Sequence, residues 1–172
     1  MKENLQKIKS VGVKRSVMLT GDNEHVANSI GREAGVEAIA SGLMPSEKVD
    51  YIKSLQKEGS KVAMIGDGVN DAPALAAADV GIAMGLSGTD IAIETAGITL
   101  ATDDFERVPT LFSISGATMK IIKQNLIFAM AVNIIGVALS MYGLVPPLIA
   151  AVIHESNALI VMLNSIRLLR IE

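Results

Sequence analysis

The sequence predicts an α/β domain built on a parallel sheet, followed by a two-helix transmembrane hairpin. Three observations lead there. Short β-rich runs alternate with helical runs up to about residue 107. Polar, glycine-containing stretches fall where several of those β runs end. From Gln124 to Ile153 the only ionisable side chain is the phenol of Tyr142. The alternation implies a mostly parallel sheet with helices on both faces, and in such sheets chemistry gathers at the carboxyl ends of the strands. The change in polarity divides the chain into residues 1–104, a linking helix over 105–123 and a membrane part over 124–172.

Taken in order, residues 1–10 read as an amphipathic Lys/Glu helix, because no apolar run follows the charges as it would in a signal peptide. Strands are expected at residues 16–20, 38–40, 61–65, 80–84 and 98–100, and helices at 23–34, 46–58, 70–78 and 89–96. Residues 125–144 are twenty long with only Asn125, Asn133, Ser140 and Tyr142 polar. At about 1.5 Å per residue they span roughly 30 Å, one hydrocarbon core. Pro146-Pro147 ends that helix, and residues 148–166 form a second span of nineteen. Lys120 and Lys123 precede the first span and Arg167 and Arg170 follow the second, which predicts both ends on the cytoplasmic side of a cell membrane. The alternative is a buried helical hairpin of a soluble protein, which a domain this small could hardly cover.

Composition narrows the function. Half of the 172 residues are hydrophobic, and the net charge of −3 with 3% aromatics disfavours nucleic acid as a partner. Without cysteine there are no disulfides and no thiolate metal ligands.

The most informative stretch is Gly66-Asp67-Gly68-Val69-Asn70-Asp71-Ala72-Pro73, at the end of one expected strand. Two carboxylates four positions apart, set among glycines, suit a hard oxygen-seeking cation such as Mg²⁺. Gly66 and Gly68 allow a phosphate to approach the backbone, and the helix start beyond them offers N–H groups to an anion. An Asp-Gly hairpin turn is the alternative, although no second alternating strand follows. Thr20-Gly21-Asp22-Asn23 ends the first strand with a hydroxyl, a glycine and a helix start, a phosphate cradle in one reading and a helix cap through Asp22 or Asn23 in the other. Ser46 reads as the N-cap of the next helix, which places Lys48 in its first turn. A cation there is disfavoured by roughly 0.3–1 kcal/mol, so it is either merely solvated or set beside an anion.

In that order, Thr20-Gly21-Asp22, Lys48 and the stretch from Gly66 to Asp71 resemble three successive motifs of the haloacid-dehalogenase-like superfamily. The fold this implies is an incomplete doubly wound parallel sheet of that type. Met18-Leu19-Thr20-Gly21-Asp22-Asn23, the string from Met64 to Leu75, the stretch Ala78 to Met84 and Gly88-Thr89-Asp90 look specifically like the phosphorylation domain of P-type ATPases. By that resemblance Thr20 with Gly21 holds the phosphoryl group of an ATP-derived phosphoenzyme, Lys48 neutralises it, and Asp22 lines the site. Asp67 binds Mg²⁺, with Asp71 and Asn70 ordering metal and phosphate. The resemblance also sets what is missing: no Asp-Lys-Thr-Gly-Thr nucleophile motif occurs, and neither a nucleotide-binding nor an actuator domain is present. In the related fold the nucleophile strand lies between the Thr20 strand and the Gly66 strand. The chain is therefore expected to be the C-terminal part of a pump, inactive alone and needing the N-terminal portion as its partner.

The second span carries His154-Glu155-Ser156-Asn157. An ionisable residue within a bilayer costs on the order of 2.5–3.5 kcal/mol and by default marks an ion path. Imidazole and carboxylate suit a divalent ion such as Zn²⁺, Co²⁺ or Fe²⁺ better than Cu⁺. A Glu155 paired with a neighbouring helix, or acting as a proton relay, is the alternative. Residues 123–169 resemble the last two membrane helices of heavy-metal P-type ATPases, and His154-Glu155 is similar to the His-Glu-Gly-x-Thr motif of the cobalt-type subgroup, with Ser156 for its Gly and Ala158 for its Thr. The expected function is that of a divalent-metal-translocating ATPase. A membrane-anchored phosphatase would need its own Asp-x-Asp strand, and a non-catalytic partner of a full-length pump is the remaining alternative.

Overall fold

The computed structural model describes residues 1–67, 69–85, 90–102 and 104–170. They form two compact units, divided between Pro109 and Thr110.

The first unit opens with α1 (Lys2–Ser10), which turns Asn4 and Ile8 inward and carries a Glu3–Lys7 ion pair one turn apart. β1 (Val17–Leu19) then leads into α2 (Glu24–Ala34), which the Asn23 carboxamide caps by accepting from the Val26 N–H at 3.0 Å. The helix ends at Gly35, whose φ of +81° is the left-handed conformation that glycine adopts without strain. β2 (Ala38–Ala40) returns parallel to β1, with Val17 opposite Ala38 and Leu19 opposite Ala40.

α3 spans Pro45–Lys57, and its N-cap is Met44, not Ser46. Pro45 is the reason: its fixed φ suits the first helical position, and it has no N–H to lose there. The Glu47 carboxylate turns back to accept from the Met44 N–H at 2.7 Å, satisfying a donor the helix start leaves open.

β3 (Ala63–Gly66), a 3₁₀ turn (Val69–Asp71), α4 (Ala72–Ala77), β4 (Val80–Met84), α5 (Asp90–Thr95) and β5 (Ile98–Leu100) follow. The expected helix from residue 70 thus begins as a tighter turn, because Pro73 supplies no N–H for a longer α-helix to use. β3, β4 and β5 are parallel, in that order. Among the described residues Ala27, Ile52, Ala74, Leu75, Ile82, Ala83 and Val108 are the most deeply buried.

All five strands pair in parallel, as the alternation predicts, but they make two sheets: β1 with β2, and β3 with β4 and β5. Among the described residues β1 and β3 do not pair with each other. Each of the two strands therefore keeps one edge unpaired.

The second unit holds most of α6 (Arg107–Met141) and all of α7 (Pro147–Ser165), with a 3₁₀ turn (Ile166–Arg170) after it. The segment read as a linking helix and the first apolar span belong to one continuous helix. Pro146 caps α7 and Pro147 opens it, so the proline pair works as a helix start as well as a stop. Both helices are long and apolar enough to cross a bilayer. From Ile121 onward the less exposed residues of α6, Ile121, Asn125, Ala129, Val132 and Gly136, form one stripe, as do Ala150, Asn157, Val161, Asn164 and Ser165 on α7. Elsewhere large apolar side chains such as Ile127, Ile134, Leu148 and Leu159 face outward, an arrangement that suits lipid and not water.

Candidate functional site

Strand ends supply the polar groups of the first unit. At the end of β1 the Thr20 hydroxyl donates to the Asp22 carboxylate at 2.9 Å and accepts from the Asp22 N–H at 3.1 Å. Asn23, not Asp22, is therefore the helix cap, and Asp22 stays with Thr20. The Thr20 carbonyl accepts from the Leu43 N–H at 3.0 Å and the Asp22 carbonyl from the Gly42 N–H at 2.8 Å, which ties this loop to the one leading into α3. Gly21 lies close enough to the Leu43 carbonyl that a Cβ would sit 3.3 Å from its oxygen.

α3 carries Lys48 one turn in, and its ammonium lies 2.7 Å from Asp71 Oδ1 in the turn after β3. Both side chains are largely shielded, at 12% and 16% exposed. Lys48 is thus neither simply solvated nor alone, and its anion is a carboxylate of the chain itself. Gly66 makes this approach possible: a Cβ there would stand 2.8 Å from Asp71 Cβ and 2.9 Å from its Oδ2. The room left by Gly66 is taken by Asp71, where the sequence suggested a phosphate. Asp67 and Asn70 are exposed on the same turn. Gly68, and Gly88 with Thr89 of the later motif, lie outside the described residues.

Thr20, Asp22, Lys48, Asp67, Asn70 and Asp71 thus sit at strand ends or in the first turn of α3, with Lys48 and Asp71 in direct contact. With one carboxylate exposed and the other held by an ammonium, the set fits Mg²⁺, a cation that needs only one or two carboxylates and keeps several waters.

Sequence reasoning missed Asp79, the residue just before β4. Its carboxylate accepts from the Lys61 ammonium at 2.7 Å, the Val62 N–H at 3.0 Å and Gln56 Nε2 at 3.1 Å. These three donors, Lys61 foremost, hold its carboxyl well below the usual carboxylate range. Gln56 also donates to the Ala77 carbonyl, so the cluster joins the end of α3 to the starts of β3 and β4. Opposite charges just ahead of two neighbouring parallel strands were the available signal.

In the second unit Asn157 is buried, 7% exposed, and among the described residues its Oδ1 has no donor, whereas His154 and Glu155 are exposed. At about 100° per residue, His154 lies about 60° from Asn157 around the helix and Glu155 about 160° away. Glu155 therefore points out of the α6–α7 seam. Among the described residues no three His, Cys, Asp or Glu come together to hold a metal. One turn from the other end of α7, Asn125 donates to Ser165 Oγ at 3.0 Å and accepts from Asn164 Nδ2 at 2.8 Å, and Arg167 donates to Asn164 Oδ1 at 3.0 Å.

Parallel strands with these groups at their carboxyl ends define a haloacid-dehalogenase-like domain, and the haloacid dehalogenase-like hydrolase family matches residues 1–79. The chain is similar to a C-terminal part of heavy-metal P-type ATPases. It is 50% identical over 171 residues to a cadmium-transporting ATPase of Staphylococcus aureus, covering 99% of this chain and 24% of that protein. A manganese-exporting P-type ATPase of Mycobacterium leprae is 45% identical over 98% of this chain and 23% of its own length. The crystal structure of a zinc-transporting PIB-type ATPase in the E2.Pi state superposes with a TM-score of 0.90 at 35% identity, over 97% of this chain and 27% of that one. The chain thus spans about a quarter of the length of the relatives it matches.

Proposed function

We propose that this chain works as the C-terminal portion of an ATP-driven pump that translocates a divalent transition-metal ion. The observation that carries the reading is the connected set Thr20–Leu43–Lys48–Asp71–Gly66, in which backbone and side-chain bonds tie the end of β1 to the end of β3. It brings a hydroxyl, an ammonium and a carboxylate to the ends of β1 and β3, each of which has one edge unpaired among the described residues. A strand carrying an aspartate nucleophile, supplied by the preceding part of the pump, would enter at those edges.

In that assembly Thr20 and the Gly21 backbone hold a phosphoryl oxygen, and Lys48 offsets its charge. Asn70 and Asp71 order the site, and Asp22 fixes the Thr20 hydroxyl. Asp67 holds Mg²⁺, which supplies charge neutralisation at the phosphoryl oxygens. Phosphoryl transfer of this kind is mostly positioning and electrostatics. Gly66 leaves the room that lets Asp71 approach Lys48.

His154 and Glu155 are proposed ligands for the transported ion. Because Glu155 turns away from the seam with α6, its partners lie on helices outside this hairpin. The four cations Lys120, Lys123, Arg167 and Arg170 support a cytoplasmic placement of both ends of the hairpin. In a pump completed by the preceding segments, His154→Ala should abolish metal-stimulated ATP hydrolysis while leaving folding intact. Undiminished metal stimulation would remove His154 from the ion path.

A further inference from the structure

The geometry points to a binding site for the phosphate of an anionic phospholipid in the cleft where α6 and the C-terminal turn after α7 meet. The cleft is about 270 Å³ and is lined by Ala117, Lys120, Ile121, Gln124 and Arg167. Two of those five residues are cations and a third is a carboxamide. Ala117 and Ile121 form the apolar remainder, two turns and one turn of α6 ahead of Asn125, where the uncharged span begins. A ligand that suits this lining is anionic at one end and apolar beside it.

Among the described residues, no carboxylate lines the cleft. From residue 110 to 170 the only carboxylate side chain is Glu155, twelve residues before Arg167 and so about 18 Å away along a helix. Among the described residues neither Lys120 nor Arg167 joins an ion pair. The site is also built in advance. Asn164 Oδ1 accepts from one Arg167 nitrogen at 3.0 Å, and Asn164 is itself bonded to Asn125 on α6 at 2.8 Å. That chain of bonds fixes the guanidinium while leaving further N–H donors for a second acceptor, and a planar guanidinium matches phosphate oxygens well. Basic clefts between membrane helices on the cytoplasmic side favour anionic headgroups in this way.

Lipid is favoured over a soluble phosphate by position. The cleft opens where two long apolar helices leave the hydrocarbon, so a headgroup reaches it with its acyl chains still along Ile121 and the outward apolar faces.

The test uses the whole chain in detergent micelles, with native mass spectrometry counting retained phosphatidylglycerol against phosphatidylcholine of the same acyl chains. Phosphatidylglycerol should be retained at least about tenfold better. The preference should vanish in Lys120→Gln/Arg167→Gln and survive in Lys123→Gln/Arg170→Gln, which removes the same charge outside the cleft. Equal losses in both double variants would reduce the effect to diffuse surface charge and overturn the site. Displacement of the lipid by excess inorganic phosphate would overturn the choice of ligand. If the first variant loses its helical circular dichroism, Lys120→Gln alone serves, since Lys120 takes no part in the asparagine network. Unchanged lipid retention there would also refute the proposal.

Discussion

At the scale of single residues, Gly66 and Asp71 show how a motif glycine serves its neighbour. Gly66→Ala would push Asp71 away from Lys48, because the added methyl would meet Asp71 Cβ at 2.8 Å. Asp71→Ala removes the carboxylate directly and strands a largely shielded ammonium, at a cost of about 1–3 kcal/mol. Both variants should show faster hydrogen exchange in peptides from the first turn of α3, with Asp71→Ala the larger effect. An exchange pattern identical to the parent chain would mean that the pair carries no stability. Asp79 makes a pH prediction. Its carboxyl is held below its ordinary value by Lys61, the Val62 N–H and Gln56. Its contribution is therefore complete above the unfolded value of about 3.9 and drains away as pH falls through the lower folded value. Asp79→Asn should lower the unfolding temperature at neutral pH, and the gap between the two chains should narrow steadily below about pH 4. A gap that is constant with pH would rule out the charged form as its source.

At the scale of elements, the α6–α7 hairpin has one satisfied polar cluster and one orphan. The hydrogen bonds joining Asn125 to Asn164 and Ser165 fix the antiparallel register. Seven residues forward along α6 and seven back along α7, that register brings Val132 level with Asn157. Asn125→Val should loosen the hairpin by roughly 0.6 kcal/mol for each interhelical bond lost, read as a lower thermal midpoint of helical signal in detergent. Asn157→Leu should do the opposite, since a buried oxygen without a donor costs more than an apolar group of similar shape. A lowered midpoint for Asn157→Leu would show that Oδ1 has a partner worth keeping. The strands teach a similar lesson about incompleteness. β1 and β3 are short, parallel and unpaired on one side, and such edges invite a further strand.

At the scale of the whole molecule, the chain holds one side of the proposed phosphoryl-handling centre and a hairpin suited to a bilayer, without an Asp-Lys-Thr-Gly-Thr motif. Incubated with labelled ATP and Mg²⁺, it should form no acid-stable, hydroxylamine-sensitive phosphoenzyme. Phosphorylation of the purified chain would demand a nucleophile among its own carboxylates.

Much of this was written in the chain itself. Strict alternation of apolar runs with glycine and proline punctuation determined the strands and helices of the first unit, because backbone preference and side-chain periodicity are local. Twenty uncharged residues followed by two prolines marked the hairpin, because an apolar run of that length spans one hydrocarbon core and the prolines break it. The order of Thr20, Lys48 and Asp67 marked the proposed candidate site. Only the tertiary structure decided that Lys48 answers Asp71, that Gly66 makes room for a carboxylate, that Asp79 gathers three donors, and that Asn157 turns inward while Glu155 turns out. Those outcomes depend on contacts between residues up to 40 positions apart, and a local pattern carries no record of which distant partner will arrive.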